Sequence, residues 1–229
     1  AYLTELAKPG REAVVGRIAP ADWVPRTKLN RYLYEYPRRG ARQLGPDQPV
    51  GFQYLLSSNT AFSRAALEAG GRYEPFRHYG GEETVLAYQV ARKFPNGIYY
   101  SDGPVARHQA SDSLGSFLGK MAAYSYHNLP RIISRHPEIA APLAADFAWP
   151  LPGRYFRRKR LRGLLLFNPL TVTGARSLLV FSPFPISSIL VRFLVVAAVV
   201  RGLRRYVRKN QPRPRLPVPP SDVAANAES

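Results

Sequence analysis

Two adjacent carboxylates, Glu82 and Glu83, follow a pair of glycines in the segment His78-Tyr79-Gly80-Gly81-Glu82-Glu83-Thr84. Glycine carries no Cβ, so Gly80 and Gly81 let a backbone come close to a ligand. The residues that follow have helical spacing: Leu86, Val90 and Phe94 share one line with Ala87 and Ala91 beside it, which predicts a helix over residues 82–94. Both carboxylates then sit in its first turn, where free N–H groups and the helix dipole favour the ionised form. Neighbours on a helix point about 100° apart. The pair therefore does not converge on one bond, as the two carboxyls of a glycosidase do. Division of labour remains open to them: one takes a proton while the other binds a hydroxyl. Plain helix initiation accounts for the same residues without any ligand.

The elements around this block alternate between strand and helix patterns, which makes the class α/β. Residues 2–7 read as a short helix stopped by Pro9-Gly10, and residues 13–18 as an apolar strand. Residues 20–49 are rich in Pro, Arg, Tyr and Gly, with one short helix expected at 27–34. Residues 52–56 alternate and read as a strand, broken at Ser57-Ser58-Asn59-Thr60 and resumed at Ala61-Phe62. A helix over 64–69 ends at Gly70-Gly71, where glycine suits the left-handed C-terminal position. Asn96-Gly97 is a turn, followed by a strand at 98–100. Further helices are expected from the cap Ser113 to about Tyr126, and from Pro130.

Charge divides the chain. Its 229 residues hold 33 Lys and Arg against 15 Asp and Glu, a net charge of +18. Residues 147–221 contain no carboxylate and fifteen of the basic residues, so the rest is close to neutral. The divisions this suggests are a catalytic-type part at 1–147, a basic and apolar helical part at 148–210, and a disordered Pro-rich tail at 211–229. The basic runs 154–162 and 201–209 flank the apolar stretches 163–170 and 178–200. Interleaved Arg and aromatic residues also suit nucleic acid, but arms that bind nucleic acid need no long apolar segments. An anionic membrane surface accounts for both features, and nucleic acid for one. Pro183, Pro185 and Arg192 interrupt 178–200, so the expectation is a helix lying in the interface or a re-entrant pair rather than a clean span. The absence of cysteine excludes disulfides, a thiolate zinc site and a cysteine nucleophile. Residue 1 is Ala and no apolar leader follows, so no signal peptide is expected, and the chain reads as a processed product or fragment.

Several pieces then stand in a familiar order: Ser57-Ser58-Asn59-Thr60-Ala61-Phe62-Ser63-Arg64, Gly70-Gly71-Arg72-Tyr73, Tyr79-Gly80-Gly81-Glu82-Glu83, and Arg107-His108. Over residues 1–137 this resembles the acceptor-side, C-terminal half of the catalytic domain of family 2 inverting glycosyltransferases, which have the Rossmann-like GT-A fold. Residues 123–135 resemble the aromatic helix and Asn-containing turn of members acting on lipid-linked or polymeric acceptors. The resemblance implies a partial GT-A domain followed by amphipathic and apolar helices. By it, Glu83 stands where the family has its Asp general base, and Glu82 where a Glu contacts the acceptor beside Gly80 and Gly81. His108 stands near a position that in some members helps hold the metal or the diphosphate. The implied donor is a nucleoside-diphosphate sugar, and the acceptor a hydroxyl on a cell-envelope glycan or lipid-linked molecule. The implied setting is the cytoplasmic face of the plasma membrane, peripheral or re-entrant. Two departures matter: Glu replaces Asp at 83, and no Asp-x-Asp occurs anywhere in the chain. The implied divalent metal, Mg or Mn, would thus be held mainly by residues outside this chain, which is expected to bind sugar nucleotide weakly alone. The alternative is a non-enzymatic basic module for membrane surfaces or nucleic acid, in which the Gly-Gly-Glu-Glu block only starts a helix.

Overall fold

The computed structural model describes residues 1–55, 57–109 and 112–210; the expected tail at 211–229 lies outside the described residues. Three strands form one mixed sheet in the order β2-β1-β3: β1 (Ala13–Pro20), β2 (Thr60–Phe62) and β3 (Ile98–His108). The helices α1 (Tyr2–Leu6), α2 (Lys28–Tyr34), α3 (Arg64–Ala69), α4 (Glu82–Lys93), α5 (Leu114–His127) and α6 (Leu129–Arg135) belong to the nearly neutral part. α7 (Arg154–Leu166), α8 (Pro169–Phe181) and α9 (Ile186–Asn210) carry the basic part. The class is α/β, as the alternation implied.

Local chemistry explains most of the boundaries. Thr27, Ser63 and Ser113 each accept a backbone N–H three residues on, which caps α2, α3 and α5. Gly71 takes the left-handed conformation just beyond α3, with φ of 77°. α6 starts with Pro130 in its first turn, where a missing N–H costs nothing.

β3 runs eight residues past the expected strand end at Tyr100. It pairs in parallel with β1 through a register shift between Gly16 and Arg17, which skips Asp102-Gly103-Pro104 on β3. Gly and Pro are the residues a strand tolerates at such an irregularity. Asn59 repairs it: its Nδ2 donates to the carbonyls of Arg17 at 2.6 Å and Pro104 at 3.2 Å, and its Oδ1 accepts from the Tyr2 hydroxyl. A strand was expected at 52–56, but residues Phe52–Tyr54 form a 3-10 turn, and Leu56 lies outside the described residues. Alternation over so few residues does not separate the two. Here it aims Phe52 edge-on at Tyr88, with ring centroids 5.4 Å apart.

Behind the sheet, Val15, Ile98 and Tyr100 pack on Leu86 and Val90 of α4. A second core joins Leu29 and Leu33 of α2, Leu118 of α5, Leu179 of α8, and Val191 and Leu194 of α9. A third joins Leu129 and Ile133 of α6 to Val200 and Leu203 of α9. Helices on both sides of residue 147 thus share their cores. Lys28 adds a polar tie, donating to the carbonyls of Leu179 and Val180 at the C-terminal end of α8.

α9 approaches α5 closely. A Cβ at Gly202 would collide with the Ala122 carbonyl and the Ser125 hydroxyl. Gly174, on α8, has no neighbour within 4 Å of such a Cβ. Gly202→Val should therefore lower stability by about 1–3 kcal/mol through overpacking, while Gly174→Ala should raise it by about 0.5–1 kcal/mol through helix propensity. Thermal or urea unfolding of the two variants checks this; equal, small effects would mean that α9 does not pack on α5 in solution.

Candidate functional site

Gly80 and Gly81 both have positive φ, 81° and 115°, and Gly81 is the N-cap of α4. An added Cβ would stand 3.3 Å from the Tyr124 ring at Gly80 and 3.0 Å from Ile132 at Gly81. The glycines are thus needed for backbone shape and for the close approach of α5 and α6. The loop is clasped as well. Asn128, buried between α5 and α6, donates Nδ2 to the carbonyls of His78 at 2.8 Å, Tyr79 at 3.2 Å and Gly80 at 2.6 Å. Its two amide hydrogens, shared among the three carbonyls, fix the direction in which α4 begins.

That direction points Glu82 and Glu83 into a cleft of about 490 Å³. Its walls come from separate parts of the chain: Tyr79 and Gly80 before α4, His108 at the end of β3, Tyr34 at the end of α2, and Phe117 and Lys120 on α5. The sequence-predicted residues Gly80, Glu82, Glu83 and His108 all border this space, whereas Gly81 faces Tyr124 and Ile132. Glu82 has one carboxylate oxygen, Oε2, buried without a hydrogen-bond partner among the described residues. Leaving a buried acceptor unmet costs about 1–3 kcal/mol or more for a charged group, so a small side-chain rearrangement that lets a hydroxyl donor reach it is favoured.

The cleft is bipolar. Burial, together with the negative charge of Glu83 and Glu82, pushes the Tyr124 hydroxyl up to about 12. Burial and the same two carboxylates also raise Tyr73 above its ordinary value. Cations border it as well: Arg39, and Lys120, which lies 5.7 Å from the centre of the Tyr79 ring, with the carboxylate of Asp112 beside it in the lining. Lys120 is held by Asp112, with Nζ to Oδ2 at 2.8 Å. That hydrogen bond keeps the Asp112 carboxyl below the ordinary carboxylate range. A depressed value means the pair is intact above that range and is lost only when pH falls through it.

His108 is exposed, and its Nδ1 meets the Tyr34 hydroxyl at 2.7 Å. Among the described residues no group of three or more His, Asp or Glu gathers as a metal site, so these residues do not fit a divalent metal by themselves. Tyr34, Arg39, Asp112 and Lys120 gave no local signal in the sequence. They reach the cleft from loops and helices far apart along the chain.

A second surface has its own character. α7 and α8 meet at a 55° bend around Phe167-Asn168. Arg154, Arg157, Arg158 and Arg162 are exposed on α7. Ten of the large apolar side chains left exposed fall between residues 161 and 189, among them Leu164, Leu165, Leu170, Val180 and Phe181. Such a concentration exceeds what scattered surface apolar residues produce. α9 is long and apolar enough to cross a membrane, but 56% of its most apolar window is buried against the other helices. The apolar stretch expected at 178–200 is divided between α8 and α9, which the prolines at 183 and 185 separate.

Comparison with family models, with curated proteins and with solved structures finds no match for this chain.

Proposed function

We propose that this chain is the acceptor-side portion of an inverting glycosyltransferase of GT-A type, held at an anionic membrane surface by α7 and α8. The observation that carries the reading is the buried, unmet carboxylate oxygen of Glu82 beside Glu83 at the mouth of α4. In this reading Glu82 accepts a hydrogen bond from a hydroxyl of the acceptor sugar or lipid-linked molecule. Glu83 takes the proton of the attacking hydroxyl as its oxygen bonds to the anomeric carbon of the donor. The bond from that carbon to the phosphate oxygen breaks on the opposite face, and the nucleoside diphosphate leaves with the electron pair. Glu in place of Asp keeps the carboxylate and lengthens its reach by one methylene.

The cationic rim of Lys120 and Arg39 suits the negative charge that leaves with the diphosphate. The donor itself and its metal are held, in this reading, by residues outside this chain, and no step here is assigned to the metal. The basic and apolar character of α7 and α8 supports the membrane part, since an interfacial helix needs both faces.

The test is transfer of labelled sugar. The full-length protein containing this chain is incubated with UDP- and GDP-sugars, Mg or Mn, and membrane lipid or cell-envelope glycan. Release of UDP or GDP that requires an acceptor supports the proposal. Nucleotide release from no donor in the panel, with or without acceptor, would leave the Gly-Gly-Glu-Glu block as a helix start alone.

A further inference from the structure

A second cavity, of about 470 Å³, lies between α8 and α9 on the far side of α5 from the carboxylate cleft. Four arginines border it: Arg176 from α8, and Arg201, Arg204 and Arg208 from α9. The three on α9 recur at spacings of three and four, so one helix face presents them together. No carboxylate lines the cavity, and none of the four arginines is in an ion pair among the described residues. Arg204 is half-buried. Its Nη1 donates to the Phe167 carbonyl at 3.0 Å, while its Nη2 is buried with no hydrogen-bond partner among the described residues. The floor is apolar, formed by Phe167, Val172, Leu194 and Ala198. Asn168 and Pro169 also line it, so the positive end of the α8 dipole faces the same space.

A cationic mouth over a hydrocarbon floor calls for an amphiphilic anion. Guanidinium forks match phosphate oxygens two at a time. An orphaned, buried donor is a strong reason for an anion to enter rather than stay in water. Leu166 and Leu170, both exposed, adjoin the lining residues Phe167 and Pro169 along the chain, so a membrane that these leucines contact comes close to the cavity. We propose that this cavity binds the phosphate monoester headgroup of a membrane lipid, with part of its hydrocarbon against Phe167 and Val172. The inference rests on the membrane-surface reading above, but not on glycosyl transfer. α5 separates the two sites: Leu118 borders the arginine cavity, whereas Phe117 and Lys120 border the carboxylate cleft. The bound lipid is therefore an anchoring ligand and not the acceptor at Glu83.

The test is vesicle flotation at matched surface potential, with phosphatidylcholine mixed with either phosphatidic acid, a phosphate monoester, or phosphatidylglycerol, a diester. The protein should favour phosphatidic acid by about tenfold, within what one additional charge-assisted hydrogen bond supplies. The double variant R201Q/R208Q changes two exposed side chains, so folding is not at risk. It should remove that preference, so that both lipids bind alike, with binding to phosphatidylglycerol falling by no more than the roughly thirtyfold that two lost surface charges account for. Equal binding to the two lipids by the unaltered protein would overturn the cavity proposal and leave the membrane reading standing. Binding to neither would overturn both. Competition by millimolar inorganic phosphate as effective as that by phosphatidic acid vesicles would assign the site to a free anion and overturn the lipid.

Discussion

Glu83→Gln should lower the rate of the proposed sugar transfer by about 10²–10⁴-fold, the usual contribution of a general base. The substitution keeps the shape of the side chain and removes only its ability to take a proton. Position 83 lies in the first turn of α4, whose course is set by the positive-φ glycines and by the three carbonyls held on Asn128. Gln is nearly isosteric with Glu and well tolerated in a helix, so the variant should fold as the parent does. The loss should appear in kcat, since acceptor contacts are assigned to its neighbour. Glu82→Gln should behave differently. The amide puts an N–H donor at a place where Oε2 is buried and unmet, and it weakens the acceptor for a substrate hydroxyl. Its main effect should be a raised KM for the acceptor. Steady-state kinetics on both purified variants distinguish the roles. Turnover by Glu83→Gln within about threefold of the parent, far below the general-base range, would reduce Glu83 to a helix-starting residue.

Replacing Arg154, Arg157, Arg158 and Arg162 by Gln should release the protein from anionic vesicles by about a thousandfold in partition. All four are exposed on α7. Each basic residue near an anionic surface contributes about 1 kcal/mol, and about 1.4 kcal/mol is tenfold. Lys159 is left out because it faces Asp146 at 3.7 Å, and that side chain is only 3% exposed. Removing its partner would strand a buried carboxylate and confuse release with unfolding. Raising salt should imitate the replacement, because screening shortens the reach of surface charge to about 3 Å at 1 M. Flotation that persists after the replacement and in high salt would mean that the apolar helices hold the protein in the bilayer without help from charge.

What the sequence disclosed is what depends on neighbours along the chain. Ser113 acts on an N–H three residues away, so its cap was read directly; Thr27 and Ser63 cap their helices in the same way. Glu82 and Glu83 were visible for the same reason, as were the glycines before them. Lys120, Arg39 and Tyr34 were not. Each joins the cleft only through packing between distant elements, and a lone Lys or Tyr on a helix has no signature of its own. Asn128 was noticed as part of a turn, but its role needed the position of the His78–Gly80 carbonyls. The length of β3 was hidden because Ser101-Asp102-Gly103-Pro104 reads as a turn. In the fold those residues are accommodated as an irregularity, and pairing with β1 resumes beyond them. The arginine cavity was half legible: the charge run was plain, but not that α8 would lie across α9 to close it.

α5 is a party wall. One side of it furnishes the carboxylate cleft through Phe117 and Lys120, and the other backs the arginine cavity through Leu118, with α9 pressed on it at Gly202. A rigid helix cannot shift on one side and stay put on the other. If a ligand on either side favours one setting of the wall, each must alter the affinity of the other by the same factor, because linkage is reciprocal. The clamp on the Gly80 loop hangs from Asn128 at the end of the same wall. The proposed lipid site and the proposed hydroxyl site are thus joined by a single piece of masonry.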